Sequence, residues 1–116
     1  MIADADARVR SALRLLLEEE LCAVVTGEAA SAREALAAVE AGRPDALVLD
    51  WDLVADDGRR TVVGRLRAYC PALRIVALSR DSGAREGRPP VGADALVTKG
   101  EPPDRLLEAL RLVRPR

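Results

Sequence analysis

The sequence contains no histidine and no phenylalanine, and lysine, tryptophan, tyrosine and methionine occur once each. Without histidine the chain lacks the usual general base at neutral pH, the commonest metal ligand and the residue that carries a phosphoryl group on nitrogen. No apolar run reaches the roughly 18 residues of a transmembrane helix, and acidic residues closely follow Met1, so neither a bilayer span nor a secretory leader is predicted. We therefore expect a cytoplasmic protein. Lys99 is its only lysine, so it carries the only ammonium side chain of the sequence.

Two cysteines and a nearly even charge balance narrow the class further. Cys22 and Cys70 lack the paired spacing of a metal site, and we expect both to be buried thiols with no disulfide. The 18 basic and 19 acidic side chains give a net charge of −1 without a basic block, which disfavours direct nucleic-acid binding and a membrane surface as partner. With 49% apolar residues, positions 1–116 are expected to form a single domain.

Apolar spacing alternates along the chain between the helical period and the strand pattern. It predicts a helix over about 7–20, a second that is capped by Ser31 and ends at Gly42, a third through 62–69 and a last one through 106–113. Continuous or β-prone runs predict strands at 22–26, 46–49, 75–78 and 95–97, after a stub at 1–3. This alternation predicts an α/β fold in which helices cover both faces of a parallel sheet.

Polar side chains follow the predicted strands at the points where the strands end. In chain order they are Asp4, Asp6, Asp50, Asp52, Ser79 and Lys99. Ligands of open α/β sheets bind at the carboxyl ends of the strands, so these residues are expected to meet. Carboxylates bind hard cations and act as nucleophiles, while hydroxyl and ammonium groups stabilise phosphoryl oxygens. The pattern therefore predicts a site for a metal ion and a phosphoryl group.

Four segments, in order, resemble the receiver domain of two-component response regulators, and the resemblance covers nearly the whole chain. Residues 2–10 resemble the acidic cluster that opens the family's first helix, and residues 44–50 with Asp57-Gly58 resemble the phosphoacceptor segment and its loop. Residues 75–79 and 92–99 resemble the strands that end in Ser or Thr and in Lys. The resemblance implies a doubly wound, flavodoxin-like parallel sheet with strand order 2-1-3-4-5.

The resemblance also implies a role for each site residue. Asp50 would accept a phosphoryl group from the phosphohistidine of a sensor histidine kinase or phosphotransfer protein. Lys99 would pair with the phosphoryl oxygens, and Ser79 would donate a hydrogen bond to one of them. Mg²⁺ would be held by Asp4, Asp50 and the backbone carbonyl of Asp52. A homodimer is a further expectation, and the domain would not be an enzyme beyond assisting its own phosphotransfer and dephosphorylation.

Three departures from the family pattern bear on this function. Ala5 stands where the family has a second acid that binds the metal, so Mg²⁺ binding is expected to be weakened, and the side chain of Asp6 or Asp52 is a candidate replacement. The first strand is truncated, which leaves open a start upstream, a neighbouring chain in the gap or a distorted sheet. Residues 79–90 predict an irregular fourth helix, and Leu96 stands where the family has a switch aromatic.

Alternatives follow from these departures. The main one is a phosphate-independent pseudo-receiver that acts as a protein-interaction module. A small metal-dependent hydrolase built on Asp50 is less favoured, because no general acid or base such as histidine accompanies the carboxylate. At the residue level, Asp4 and Asp6 are also typical helix caps, Ser79 a typical turn residue and Trp51 a typical packing residue.

Overall fold

The computed structural model describes residues 1–54, 58–80 and 92–112. Within these ranges five strands form one sheet in the order β2-β1-β3-β4-β5, and all neighbouring pairs are parallel. The strands are β1 (Ile2–Ala3), β2 (Glu28–Ala29), β3 (Ala46–Asp50), β4 (Arg74–Ser79) and β5 (Ala95–Thr98). The structure confirms the predicted α/β fold and its strand order.

The described ranges also contain four α-helices, of which the first three connect successive strands and the fourth follows β5. They are α1 (Ala7–Leu21), α2 (Ala32–Gly42), α3 (Arg59–Tyr69) and α4 (Pro103–Leu112). The starts of α1 and α2 are set by capping, since Asp6 accepts a hydrogen bond from the Arg8 backbone N–H and Ser31 accepts one from that of Glu34. No described helix is long and apolar enough to cross a bilayer.

Alternate residues of β3 pack on opposite faces of the sheet. Leu47 and Leu49 join a core cluster with residues of α2 and α3, whereas Val48 joins a second cluster with residues of α1 and α4. Each of the three is at most 2% exposed. Burial of a side chain of this size contributes about 1.5–3 kcal/mol, so the strand that ends in Asp50 is firmly held. Its burial on both faces explains the uninterrupted apolar run.

The first strand is short, as predicted, but it lies inside the sheet. Ile2 pairs with Glu28 on one side and with Val48 on the other. The strand predicted at 22–26 is wrong, because β2 comprises only Glu28–Ala29. β1 offers partners only from Ile2 onward, so pairing rather than β-propensity decides where the edge strand forms.

The prediction of two buried thiols is half wrong. Cys70 is buried, but Cys22 is exposed. Cys22 closes α1 in the left-handed conformation, with φ of 52°, and its backbone N–H donates to the Leu17 carbonyl. It therefore lies beyond the buried stripe of the helix. The irregular segment predicted at 79–90 falls mostly on residues 81–91, and the last apolar position, Val113, follows α4; both lie outside the described residues.

Candidate functional site

The buried polar and charged residues in the described part of the chain are three: Asp4, Asp50 and Ser79. Asp4 follows β1, Asp50 ends β3 and Ser79 ends β4, so all three lie at the carboxyl edge of the sheet. Their exposed fractions are 2%, 6% and 5%. Burial of a carboxylate is costly unless a positive charge or hydrogen-bond donors compensate it, so this edge requires partners for Asp4 and Asp50.

Lys99, directly after β5, supplies the compensating charge. Its Nζ lies 3.0 Å from Asp4 Oδ2 and 3.2 Å from Asp50 Oδ1. Partial burial by itself lowers the pKa of Lys99, but the hydrogen bonds to Asp4 and Asp50 outweigh burial and raise the pKa above its ordinary value. The group is therefore charged at neutral pH, and the structure brings three predicted site residues into contact.

Both carboxylates also orient the loops that follow their strands. Asp4 Oδ1 accepts a hydrogen bond of 2.9 Å from the Asp6 backbone N–H, and Asp50 Oδ1 accepts one of 3.0 Å from the Asp52 N–H. Such bonds to the residue two positions later define an Asx turn. The chain after Asp50 continues as a 3₁₀ turn over Trp51–Leu53, with Trp51 buried.

Ser79 is placed beside Lys99 by the pairing of β4 with β5. The Lys99 backbone N–H donates to the Ser79 carbonyl at 2.7 Å, and Ser79 lies opposite Thr98 in the register. Ser79, which carries a hydroxyl, and Lys99, which carries an ammonium, thus lie next to each other at the ends of neighbouring strands. The predicted proximity of Ser79 to Lys99 is realised at the backbone level.

Asp6 and Asp52 lie at the rim and have other partners. The Asp6 side chain caps α1, and the hydrogen bond from the Arg8 backbone is the main cause that lowers the Asp6 pKa. The Asp52 side chain is 45% exposed, and its Oδ2 lies 3.9 Å from Arg80 Nε. Within the described residues no three acidic, histidine or cysteine side chains are grouped to hold a metal ion. Replacement of the missing acid by Asp6 or Asp52 stays a prediction.

Two arginines near this edge were not predicted from the sequence. Arg59 donates from Nε and Nη2 to the Trp51 carbonyl at 3.2 and 2.9 Å, and its guanidinium carbon lies 4.9 Å from the Trp51 ring centroid. Arg10 Nη1 donates to the Asp4 backbone carbonyl at 2.7 Å. Both contacts are made to main-chain oxygens of loops, for which residue spacing gives no signal.

A cavity lies at the opposite, amino-terminal edge of the sheet. It encloses about 600 Å³, and its lining includes Met1, Val24 and Asp45 but none of the predicted site residues. The acidic cluster does not line this cavity. This geometry gives no support to the hydrolase alternative.

Comparison with known proteins identifies the family of this chain. The sequence profile of the response regulator receiver domain matches residues 1–111. The chain belongs to the response regulator receiver domain family. A comparison with curated proteins found no significant sequence match.

Solved structures similar to this receiver domain support its fold. A two-component response regulator of the LuxR family from Aurantimonas sp. SI85-9A1 has 29% identity and a TM-score of 0.78, over 97% of this chain and 81% of that one. The receiver domain of the putative response regulator NarL from Mycobacterium tuberculosis has 22% identity and a TM-score of 0.77, over 99% and 94%. RcsB from Salmonella enterica serovar Typhimurium, bound to promoter rprA with the phosphomimetic BeF3⁻, has 21% identity and a TM-score of 0.75, over 97% and 94%.

The number of carboxylates in this receiver domain's site is small but compatible with a magnesium ion. Mg²⁺ in proteins is usually bound by one or two carboxylates and completes its shell with water and phosphate oxygens. Asp4 and Asp50 supply two buried carboxylates, which Lys99 bridges. Ala5, next to Asp4, contributes no oxygen from its side chain. Asp4 and Asp50 are therefore the buried carboxylates at this edge with the chemistry to hold a hard cation.

Proposed function

We propose that this receiver domain accepts a phosphoryl group on Asp50 from the phosphohistidine of a sensor histidine kinase or phosphotransfer protein. The observation that carries the proposal is the buried Asp50 carboxylate, 6% exposed, with Lys99 Nζ at 3.2 Å from its Oδ1. A carboxylate oxygen is a competent nucleophile, and a fixed ammonium offsets its repulsion of an anionic phosphoryl group. Because the 116 residues contain no histidine, the phosphohistidine must lie outside this domain.

In the proposed step an Asp50 oxygen forms a bond to phosphorus in line with the departing group. The phosphorus–nitrogen bond to the donor imidazole breaks, its electron pair stays on the ring nitrogen, and Asp50 becomes an acyl phosphate. Lys99 pairs with a phosphoryl oxygen, and the Ser79 hydroxyl donates a hydrogen bond to another. Asp4, Asp50 and the Asp52 backbone carbonyl would hold Mg²⁺, which when bound would supply positive charge to offset that of the phosphoryl oxygens.

Beryllofluoride, a mimic of the acyl phosphate, tests this proposal directly. We expect it to bind the wild-type domain only when Mg²⁺ is present, with a change in the fluorescence of Trp51 next to the acceptor. The Asp50→Asn variant should show no such change. A wild-type domain that gives no Mg²⁺-dependent signal by fluorescence or by ¹⁹F NMR would argue against a working acceptor.

A phosphate-independent interaction module is the second candidate function. It is favoured by Ala5 beside Asp4 and by the lack of a three-acid group in the described ranges. This candidate predicts that self-association, measured by analytical ultracentrifugation, is the same for the wild type, the beryllofluoride-treated protein and Asp50→Asn. The phosphoacceptor function predicts that only the treated wild type differs.

A further inference from the structure

Arg10, the fourth residue of α1, links the acidic pocket to the edge strand of the sheet. Its Nη1 donates to the Asp4 backbone carbonyl at 2.7 Å, and its Nε donates to Glu28 Oε1 at 3.0 Å. The arginine side chain is 18% exposed, and that of Glu28 is 28% exposed. A planar guanidinium makes both bonds at once with a fixed angle between them, so the two elements are held in one geometry.

These bonds close a ring around the main chain of Asp4. The Asp4 backbone N–H donates to the Ala29 carbonyl at 2.9 Å, while its carbonyl accepts from Arg10. Arg10 in turn is bound to Glu28, the residue before Ala29. Both backbone groups of Asp4 are thus tied to β2, one directly and the other through the guanidinium. The carboxylate between them has its two oxygens on Lys99 and on the Asp6 N–H.

The ring compensates for the shortness of the neighbouring strands. β1 and β2 have two residues each, and their ladder stops at Ala3 opposite Ala29. Asp4 therefore lies just past the end of the ladder, and its N–H makes its one direct backbone bond to β2 within the described residues. With Ala5 in the next position, Asp4 is also the only carboxylate of this loop that contacts Lys99 within the described structure.

We propose that Arg10 is a positioning residue of the acidic pocket: its guanidinium fixes the main chain of Asp4, so that the Asp4 carboxylate is oriented for Lys99 and for a divalent cation. This role rests on the proposed phosphoacceptor function and deepens it. Loss of a residue that hydrogen-bonds a metal ligand commonly weakens metal binding by about 10- to 100-fold, because the ligand is then no longer held in place.

Arg14 provides a matched control one turn further along α1. Its Nε donates to the other oxygen of Glu28, Oε2, at 2.7 Å, and its Nη1 lies 3.5 Å from Glu18 Oε2. It therefore shares the link between α1 and β2 with Arg10, but within the described structure it makes no hydrogen bond to the main chain of Asp4. A purely structural role in joining the helix to the strand would be affected similarly by loss of either arginine.

The experiment compares Arg10→Met with Arg14→Met in a titration with Mg²⁺ alone, followed by amide NMR shifts around Asp4 and Asp50. We expect Arg10→Met to weaken Mg²⁺ binding about tenfold or more, and Arg14→Met to stay within about twofold of the wild type. Equal effects of the two variants, or wild-type affinity in Arg10→Met, would overturn the proposal. Arg10→Lys keeps the positive charge but not the planar guanidinium, and it should weaken Mg²⁺ binding as Arg10→Met does. Wild-type Mg²⁺ affinity in Arg10→Lys would contradict the proposal.

A second measurement needs no metal and separates this inference from the proposed function. In metal-free protein the amides of Asp4 and Asp6 donate to the Ala29 carbonyl and to Asp4 Oδ1. Their hydrogen-exchange protection should fall in Arg10→Met and Arg10→Lys but not in Arg14→Met. If the wild type binds no Mg²⁺, the metal-dependent function is wrong, while unchanged protection in Arg10→Met would refute the role of Arg10 itself.

Discussion

The ammonium of Lys99 allows two carboxylates to lie side by side below the surface of the protein. Its Nζ contacts one oxygen of Asp4 and one of Asp50, at 3.0 and 3.2 Å. The chain uses arginine for every other basic residue. An ammonium is a compact point charge, whereas a guanidinium is a planar fork with a broader footprint, so a lysine suits the narrow space between two carboxylate oxygens.

Loss of this ammonium should destabilise the fold. We expect Lys99→Met to lower the free energy of unfolding by about 2–3 kcal/mol at neutral pH, because two buried carboxylates then face each other without a counter-charge, an effect moderated by the partial exposure of Lys99. Urea denaturation measures the change. Adding Asp4→Asn should restore at least half of the loss; wild-type stability in the single variant would show that the carboxylates do not depend on Lys99.

The loop after β3 is a second element that an arginine holds in place. Arg59, the first residue of α3, donates to the carbonyls of Trp51 and Val54 and lies near the Trp51 ring. Hydrogen bonds from a charged donor to buried carbonyls fix the turn that begins directly after Asp50. The start of α3 and the turn at Trp51–Val54 therefore form one unit.

Arg59→Ala should loosen this unit without disturbing the rest of the sheet. We expect a loss of about 1–2 kcal/mol in stability, from the charged hydrogen bonds and the cation–π contact together. Trp51 emission should shift to longer wavelength as water reaches the ring. Arg60→Ala, at the exposed next position, is the control and should change stability by less than about 0.5 kcal/mol. Similar spectra for both variants would contradict the role given to Arg59.

The junction of α1 with β2 should respond to acid. The pKa of Glu28 is lowered mainly by the hydrogen bond from Arg14, with a further one from Arg10. Because the folded-state pKa is the lower one, the stabilisation is present above the ordinary glutamate pKa and is lost as the pH falls through the lowered value. A ¹³C NMR titration should show a depressed pKa for Glu28 that moves up in Arg14→Met. An ordinary pKa in the wild type would rule out the pairing in solution.

How well the sequence predicts a strand depends on whether the strand's own residues or its pairing partners determine where it forms. The runs that became β3 and β4 were identified because a strand buried on both faces must be apolar throughout. The sequence predicts β2 at the wrong position, because the edge strand forms where β1 offers pairing partners. That depends on tertiary structure and not on local β-propensity. Asp50 and Lys99 were found because they follow strands, whereas Arg10 and Arg59 act through loop carbonyls that no spacing reveals.

At the scale of the whole molecule, the parallel sheet turns order along the chain into proximity in space. Asp4 and Lys99 are 95 positions apart, yet their side chains are 3.0 Å apart because β1 and β5 end at the same edge. The receiver fold therefore creates a charged site from single residues on separate strands. Ala5 and Leu96 mark positions at which this chain departs from the family pattern, so acceptance of a phosphoryl group is the claim that most needs a test.

The most direct test is phosphorylation by a small phosphodonor such as acetyl phosphate, with intact-mass spectrometry of the wild type, Asp50→Asn and Asp45→Asn. Asp45 precedes β3 at the opposite edge of the sheet and serves as the matched control. We expect one Mg²⁺-dependent phosphoryl group on the wild type and on Asp45→Asn, and none on Asp50→Asn. An unmodified wild type, or a modified Asp50→Asn, would contradict the assignment of Asp50 as the acceptor.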